Sequence, residues 1–125
     1  MRALLDTQAV FLWMKHPNTL PAGVDRLLSD RRNHVAVSAA TFWEIAIKRA
    51  RGRIEWTDAM FAAISDSAAH LLPITPAHAV RAGDLPPHHR DPFDRLLIAQ
   101  AQAEGLTLVG GDGAFGAYDV RVFWA

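Results

Sequence analysis

Short apolar runs alternate with longer, helix-patterned segments from one end of this chain to the other. That alternation limits the fold more than any other feature. Ala3–Leu5, His34–Val37, Leu71–Ile74, Leu106–Val109 and Val120–Phe123 read as strands, the last at a sheet edge. Each run is short and nearly continuous in apolar side chains, the pattern of strands buried on both faces. Strands separated by helices predict a three-layer α/β sandwich with a mostly parallel, about five-stranded sheet.

The helices announce themselves by their end signals. Thr7–Met14 and Val24–Leu28 are apolar and amphipathic, with Pro17 and Pro21 marking the turn between them. Ser38 caps a helix running to Arg51, and Gly52 stands at its C′ position. Thr57-Asp58 opens a helix through Ala69. Thr75-Pro76 and Asp91-Pro92 each pair a cap with proline at the first helical position. Gly83 and Gly105 are the corresponding stops, so the second of these helices ends at Glu104.

The chain of 125 residues is expected to be a single domain over residues 1–125, large enough for its own core. With no cysteine it has neither a disulfide framework nor a thiolate metal site, which fits a cytoplasmic location. Asp6 interrupts the first apolar run almost at once, against a secretion signal. No run approaches the ~20 apolar residues that span a bilayer, so no membrane partner is expected. Thirteen basic residues balance 13 acidic ones, which argues against a generic nucleic-acid coat.

Acids at element boundaries carry the chemistry. Asp6 closes the first strand, and Asp112 follows the fourth after Gly110 and Gly111. In a parallel α/β sheet, ligands bind outside the carboxyl ends of the strands. Carboxylates that converge there repel one another unless a cation lies between them. Glu44 stands in an apolar helical stretch with Phe42, Trp43, Ile45 and Ile47, where an acid needs a partner or a task. Asp94 falls at N3 of the helix capped by Asp91, aimed at the helix entrance.

Each acid also has a plainer explanation. Asp6 fits an N-cap, and Thr41-Phe42-Trp43-Glu44 fits a capping box. Asp94 suits the helix dipole without any ligand, and Asp112 suits an ordinary turn. His88-His89-Arg90 reads first as a solvated polar loop and second as a phosphate contact. His16, His34, His70 and His78 lack zinc spacing. Lys48, Arg49, Arg51 and Arg53 form either a solvated helix end or a grip for a polyanion. The chain has no glycine-rich phosphate loop ending in Lys-Ser/Thr and no G-x-S-x-G elbow. Asp6-Thr7-Gln8 lacks the second aspartate of haloacid-dehalogenase phosphatases.

Taken in order, these segments resemble the PIN-domain ribonucleases and, among them, the VapC-type toxins of toxin–antitoxin pairs. Leu4-Leu5-Asp6-Thr7 is similar to the family's first motif, and Ser38 with Trp43-Glu44-Ile45-Ala46-Ile47-Lys48 to the second. His89-Arg90-Asp91-Pro92-Phe93-Asp94-Arg95-Leu96-Leu97-Ile98-Ala99-Gln100-Ala101 resembles the third, and Leu108-Val109 with Asp112 and Phe115 the fourth. The resemblance implies a PIN-like fold and a metal-dependent endoribonuclease. By it, Asp6, Glu44, Asp94 and Asp112 are the catalytic, metal-binding set for Mg²⁺ or Mn²⁺. It also implies an RNA substrate, a cognate antitoxin whose tail covers the site, and a homodimer. Trp13, Phe42, Trp43 and Trp56 serve either those interfaces or the core. One position departs from the family, which commonly has Thr or Ser where this chain has Gly110. That departure keeps open a catalytically inert interaction module, and a nuclease acting on DNA remains the other alternative.

Overall fold

The computed structural model describes residues 1–125. Five strands form one sheet: β1 (Arg2–Leu5), β2 (His34–Ser38), β3 (His70–Leu72), β4 (Thr107–Val109) and β5 (Val122–Phe123). Their order across the sheet is β3-β2-β1-β4-β5. All of the pairings are parallel, so the sheet is wholly and not just mostly so. Helices α1 (Thr7–Lys15), α2 (Ala22–Ser29), α3 (Ala39–Ala50), α4 (Asp58–Asp66), α5 (Pro76–Asp84) and α6 (Pro92–Glu104) fill the intervals. Short 3₁₀ turns cover Pro17–Thr19 and Gly113–Ala117.

The two faces of β1 separate by the period of two that a pleated strand imposes. Ala3 and Leu5 join Ala9 and Val10 of α1, Val24 and Leu27 of α2 and Ile64 of α4 in one core. Leu4 points the other way, into a second core with Leu97, Ile98 and Ala101 of α6. Register carries the split across the sheet. Leu5 lies beside Val37 and Val109, and Leu4 beside Ala36 and Leu108. Each pair shares one core. Burial on both sides is what the continuous apolar runs predict, and it gives the three layers.

The chain steps outward from β1 through β2 to β3, then returns past β1 to build β4 and β5. The direction of winding therefore reverses between β1 and β4. A crevice opens outside the carboxyl ends of strands at such a point.

Several limits differ from the sequence expectation, each for a local reason. The third strand is His70–Leu72, not Leu71–Ile74, because Pro73 has no N–H to continue a ladder. Helix α4 ends at Asp66 and does not reach Ala69. Ser67 Oγ donates to the Ile64 carbonyl and accepts from the Ala69 amide, so the side chain replaces the next helical turn. Gly83 stays inside α5. The helix stops at Leu85, which is held extended before Pro86. Strand β5 begins at Val122 and not Val120, whose amide is spent in a turn on the Tyr118 carbonyl. Helices α1 and α2 run slightly past their expected ends, α3 stops one residue short at Ala50, and β4 starts at Thr107. Gly52, at φ 69°, occupies the left-handed position expected of a helix stop.

No helix is long and apolar enough to cross a membrane. Leu4 is fully buried in the centre of the sheet. Leu4→Ala is expected to cost about 2–5 kcal/mol, measured by urea unfolding. A cost below about 1 kcal/mol would contradict the packing described for β1.

Candidate metal centre

A cleft of about 390 Å³ lies at the β1–β4 crevice, and Asp6, Glu44, Asp91, Asp94 and Asp112 all line it. The four acids singled out from the sequence therefore border one space. Thr7, Gln8, Phe11, Ile45, Lys48 and Ile54 complete the walls.

Asp6 is fixed first, by backbone. Its amide donates to the Val109 carbonyl at 2.9 Å, tying the end of β1 to the end of β4. Its Oδ1 accepts from the Ala9 amide at 2.7 Å and caps α1. Capping and cleft lining are thus one position, not alternatives, because only one oxygen is used. The carboxyl is pushed up to about 7. Burial is the main cause, opposed by the Ala9 hydrogen bond, with the charges of Asp94, Glu44 and Asp112 adding to the rise.

Glu44 comes from the second turn of α3. Ser38 caps that helix by accepting from the Ala40 amide, so the capping-box alternative for Thr41 and Glu44 does not hold. Thr41 Oγ1 instead lies 3.1 Å from Thr7 Oγ1. Glu44 Oε2 pairs with Lys48 Nζ at 2.9 Å, one turn along the helix. Its Oε1 is buried and has no partner. A buried carboxylate oxygen left alone is costly unless something charged occupies the space beside it.

Asp94 sits in the first turn of α6, behind Pro92. Asp91 caps that helix, accepting from the Phe93 and Asp94 amides at 2.8 and 3.3 Å. Burial and then the Asp91 charge raise the Asp94 carboxyl to about 6, while His89 pulls it down. Asp112 is more exposed. Its Oδ1 caps the Gly113–Ala117 turn through the Ala114 amide at 2.9 Å. That hydrogen bond holds its carboxyl below the usual range against a small burial effect, with His89 helping.

The loop before α6 is not wholly solvated. His88 and Arg90 are exposed, as a solvated loop would be, but His89 is not. Its side chain is only 13% exposed, with Nε2 at 3.0 Å from Asp94 Oδ2 and 2.9 Å from Asp112 Oδ2. His89, Asp94 and Asp112 form the tight group whose ligand atoms all lie within 4.8 Å of one another. Asp6 and Glu44 border the same cleft outside that triplet. No local sequence signal marks His89, whose partners Asp112 and Tyr118 lie far along the chain.

The donor set fits a hard divalent cation, which prefers carboxylate oxygens. The cleft walls carry five carboxylates against one lysine. The orphaned Glu44 Oε1 and the raised Asp6 and Asp94 carboxyls mark a place where negative charge is under-compensated. Gly110 explains how Asp6 reaches it. A Cβ at Gly110 would lie 2.3 Å from Asp6 Oδ2 and 2.8 Å from the Phe115 ring. The hydroxyl residue common in the family cannot stand there while Asp6 keeps this position.

A parallel sheet with acids gathered at its switch point defines the class. Comparison with known proteins gives the family: the model for the PIN domain matches residues 3–120, and the chain belongs to that family. No curated protein matches the chain in sequence. Among solved structures, the chain is similar to one in the VapBC2 complex from Rickettsia felis bound to a DNA fragment from their promoter. The TM-score is 0.74 at 18% identity, with all of both chains covered. It is also similar to FitAcB from Neisseria gonorrhoeae (TM-score 0.66, 23% identity, 98% of this chain and 96% of that one). VapBC-5 from Mycobacterium tuberculosis, a member of the VapBC toxin–antitoxin family, gives a TM-score of 0.63 at 20% identity, over 99% and 98% of the two chains.

Two outcomes follow from the geometry. Gly110→Ala forces Asp6 to move, so the α1 cap weakens and stability falls by about 0.5–2 kcal/mol in denaturant titrations. An unchanged stability would mean that Asp6 is not held as described. The second concerns pH. In metal-free protein Asp6 and Asp94 stay protonated in the fold at pH values where the unfolded chain has released those protons. The native state then binds more protons, so stability falls as pH rises from about 4, to about 7 for Asp6 and to about 6 for Asp94, by up to ~1.4 kcal/mol per unit for each group. Asp6→Asn should flatten that fall. Equal pH slopes for the variant and the parent protein in EDTA would count against a raised Asp6.

Proposed function

We propose that this protein is the toxin of a VapBC-type toxin–antitoxin pair, a metal-dependent endoribonuclease with Asp6, Glu44, Asp94 and Asp112 as its Mg²⁺ or Mn²⁺ ligands. The observation that carries the reading is the unpartnered, buried Glu44 Oε1 in a cleft walled by carboxylates on a PIN fold. When bound, such an ion lowers the pKa of water and neutralises charge on a scissile phosphate.

The chain's own residues supply the rest. Asp6 and Asp94 would hold the ion as carboxylates, the form that a bound cation would favour. Lys48, paired with Glu44 at the cleft wall, is the cation nearest to hand for a phosphate oxygen. No side chain is needed as a covalent nucleophile when a metal-activated water attacks. A polyanionic cleft also attracts a cationic side chain from a protein partner. The antitoxin is therefore expected to inhibit cleavage by placing a basic residue there. A homodimer would take up Trp43, which is 60% exposed, whereas Trp56 is core and Trp13 and Phe42 pack against it.

Labelled RNA and DNA incubated side by side with Mg²⁺, Mn²⁺ or EDTA test the reading. RNA should be cleaved, DNA spared, and EDTA should stop the reaction. Asp6→Asn, Glu44→Gln, Asp94→Asn and Asp112→Asn should each lower the rate at least ~10²-fold, since a ligand worth ~3 kcal/mol corresponds to that factor. Preferred cleavage of DNA would transfer the activity to the alternative substrate. Absence of cleavage with either nucleic acid, with Mn²⁺ bound, would leave an inert interaction module.

A further inference from the structure

His89 lies among the acids, yet it does not belong to the acidic ligand set. Its ring is oriented from behind: Nδ1 accepts from the Asp91 backbone amide at 3.1 Å. An acceptor carries its lone pair toward the donor, so the ring proton is on Nε2. That Nε2–H is donated to Asp112 Oδ2 at 2.9 Å, and Asp94 Oδ2 lies 3.0 Å from the same nitrogen. One ring nitrogen therefore lies against two carboxylates from different parts of the chain and bonds one of them. A metal at Nε2 would need the lone pair there and the proton on Nδ1. Two N–H groups, of His89 and of Asp91, would then face each other.

The loop that carries His89 is itself strapped down. The Arg95 guanidinium donates to the Ala82 and Leu85 carbonyls at 2.9 and 2.8 Å. It also donates to those of Pro86 and His89 at 3.0 and 3.3 Å. The Tyr118 hydroxyl accepts from the His89 amide at 2.8 Å and donates to the Pro86 carbonyl at 2.7 Å. Arg95 follows Asp94 directly on α6, and Tyr118 closes the turn that Asp112 opens. The clasp thus has one side anchored beside each acid that His89 touches.

We propose that His89 is a positioning residue: its Nε2–H tethers the Asp112 carboxylate beside that of Asp94, in the spacing that receives the cation, and the Arg95–Tyr118 clasp sets its ring. Asp112 needs such a tether more than Asp94 does. It stands on an exposed segment between Gly111 and Gly113, while Asp94 rides a helix. Hydrogen-bond partners of metal-ligating carboxylates contribute to affinity by fixing the ligands before the metal arrives. This inference rests on the metal-site reading above.

The test is Mn²⁺ affinity by calorimetry on the intact protein without RNA, so that catalysis does not enter. His89→Ala should weaken Mn²⁺ binding about 10–100-fold. His89→Gln can present an amide N–H near the Nε2 position and should restore most of that loss. Tyr118→Phe removes the hydroxyl bridge and should weaken binding less. Combined with His89→Ala it should add nothing, since it acts only through His89. Nitrogen NMR of labelled histidine should find the His89 proton on Nε2 in metal-free protein. Wild type that binds no Mn²⁺ removes the metal reading and this proposal with it. If wild type binds and His89→Ala binds as tightly or more tightly, the metal site stands and the positioning role falls. If His89→Gln is as weak as His89→Ala, the imidazole is needed as something other than an N–H donor, and the proposal is overturned.

Discussion

Repulsion among the carboxylates at the carboxyl ends of β1 and β4 is the constraint to which the surrounding structure answers. Two like charges ~4 Å apart near a protein surface oppose each other by roughly 4 kcal/mol. A whole domain is stable by only ~5–15 kcal/mol. The fold cannot hold several such pairs ionised without compensation. What it does is visible in Asp6 and Asp94, raised to about 7 and about 6 in the metal-free protein. It shows again in Lys48, drawn onto Glu44, and in the His89 ring between Asp94 and Asp112. Each is a partial substitute for a cation.

Helix and turn starts supply the means of holding acids where they repel. Asp6 caps α1, Asp91 caps α6, and Asp112 caps the Gly113–Ala117 turn. A capping carboxylate spends one oxygen on a backbone amide and gains from the local dipole. The second oxygen is left over for other contacts. For Asp6 that is Oδ2, lodged against Gly110, and for Asp112 it is Oδ2, bonded to His89. The same interaction that starts a helix therefore sets where the other carboxylate oxygen lies, and stability and cleft geometry come from one set of bonds.

That dual use explains what could and could not be read from the sequence. The period-two split of β1, the caps at Ser38, Thr75 and Asp91, and the acids at strand ends are local patterns, and they placed the sheet and the cleft. For Asp6, capping and cleft lining do not compete, since a carboxylate has two oxygens. His89, by contrast, was hidden. Its neighbours in space are Asp112 and Tyr118, far along the chain, and nothing in His88-His89-Arg90 separates the ring that turns inward from the two side chains that stay in water. Gly110 was legible as a missing hydroxyl. Its physical reason, the approach of Asp6 and Phe115, needed coordinates.

Helix α6 is where these effects meet. Asp94 faces the cleft, Arg95 grips the preceding loop, and Gln100, fully buried, reaches the other side of the sheet order. Ser38 Oγ donates to Gln100 Oε1 at 2.5 Å, and Gln100 Nε2 donates to the Pro73 carbonyl at 3.2 Å. Ser38 is also the cap of α3, the helix that carries Glu44. A buried polar chain of this kind is stable only when every member is satisfied, so it tolerates little sliding. Displacing α6 would break the Ser38 bond and the Arg95 clasp together, moving Glu44's helix and His89's loop relative to Asp94. The acids that repel most are thereby referred to one rigid element. The spacing of the cleft carboxylates is thereby fixed by the core.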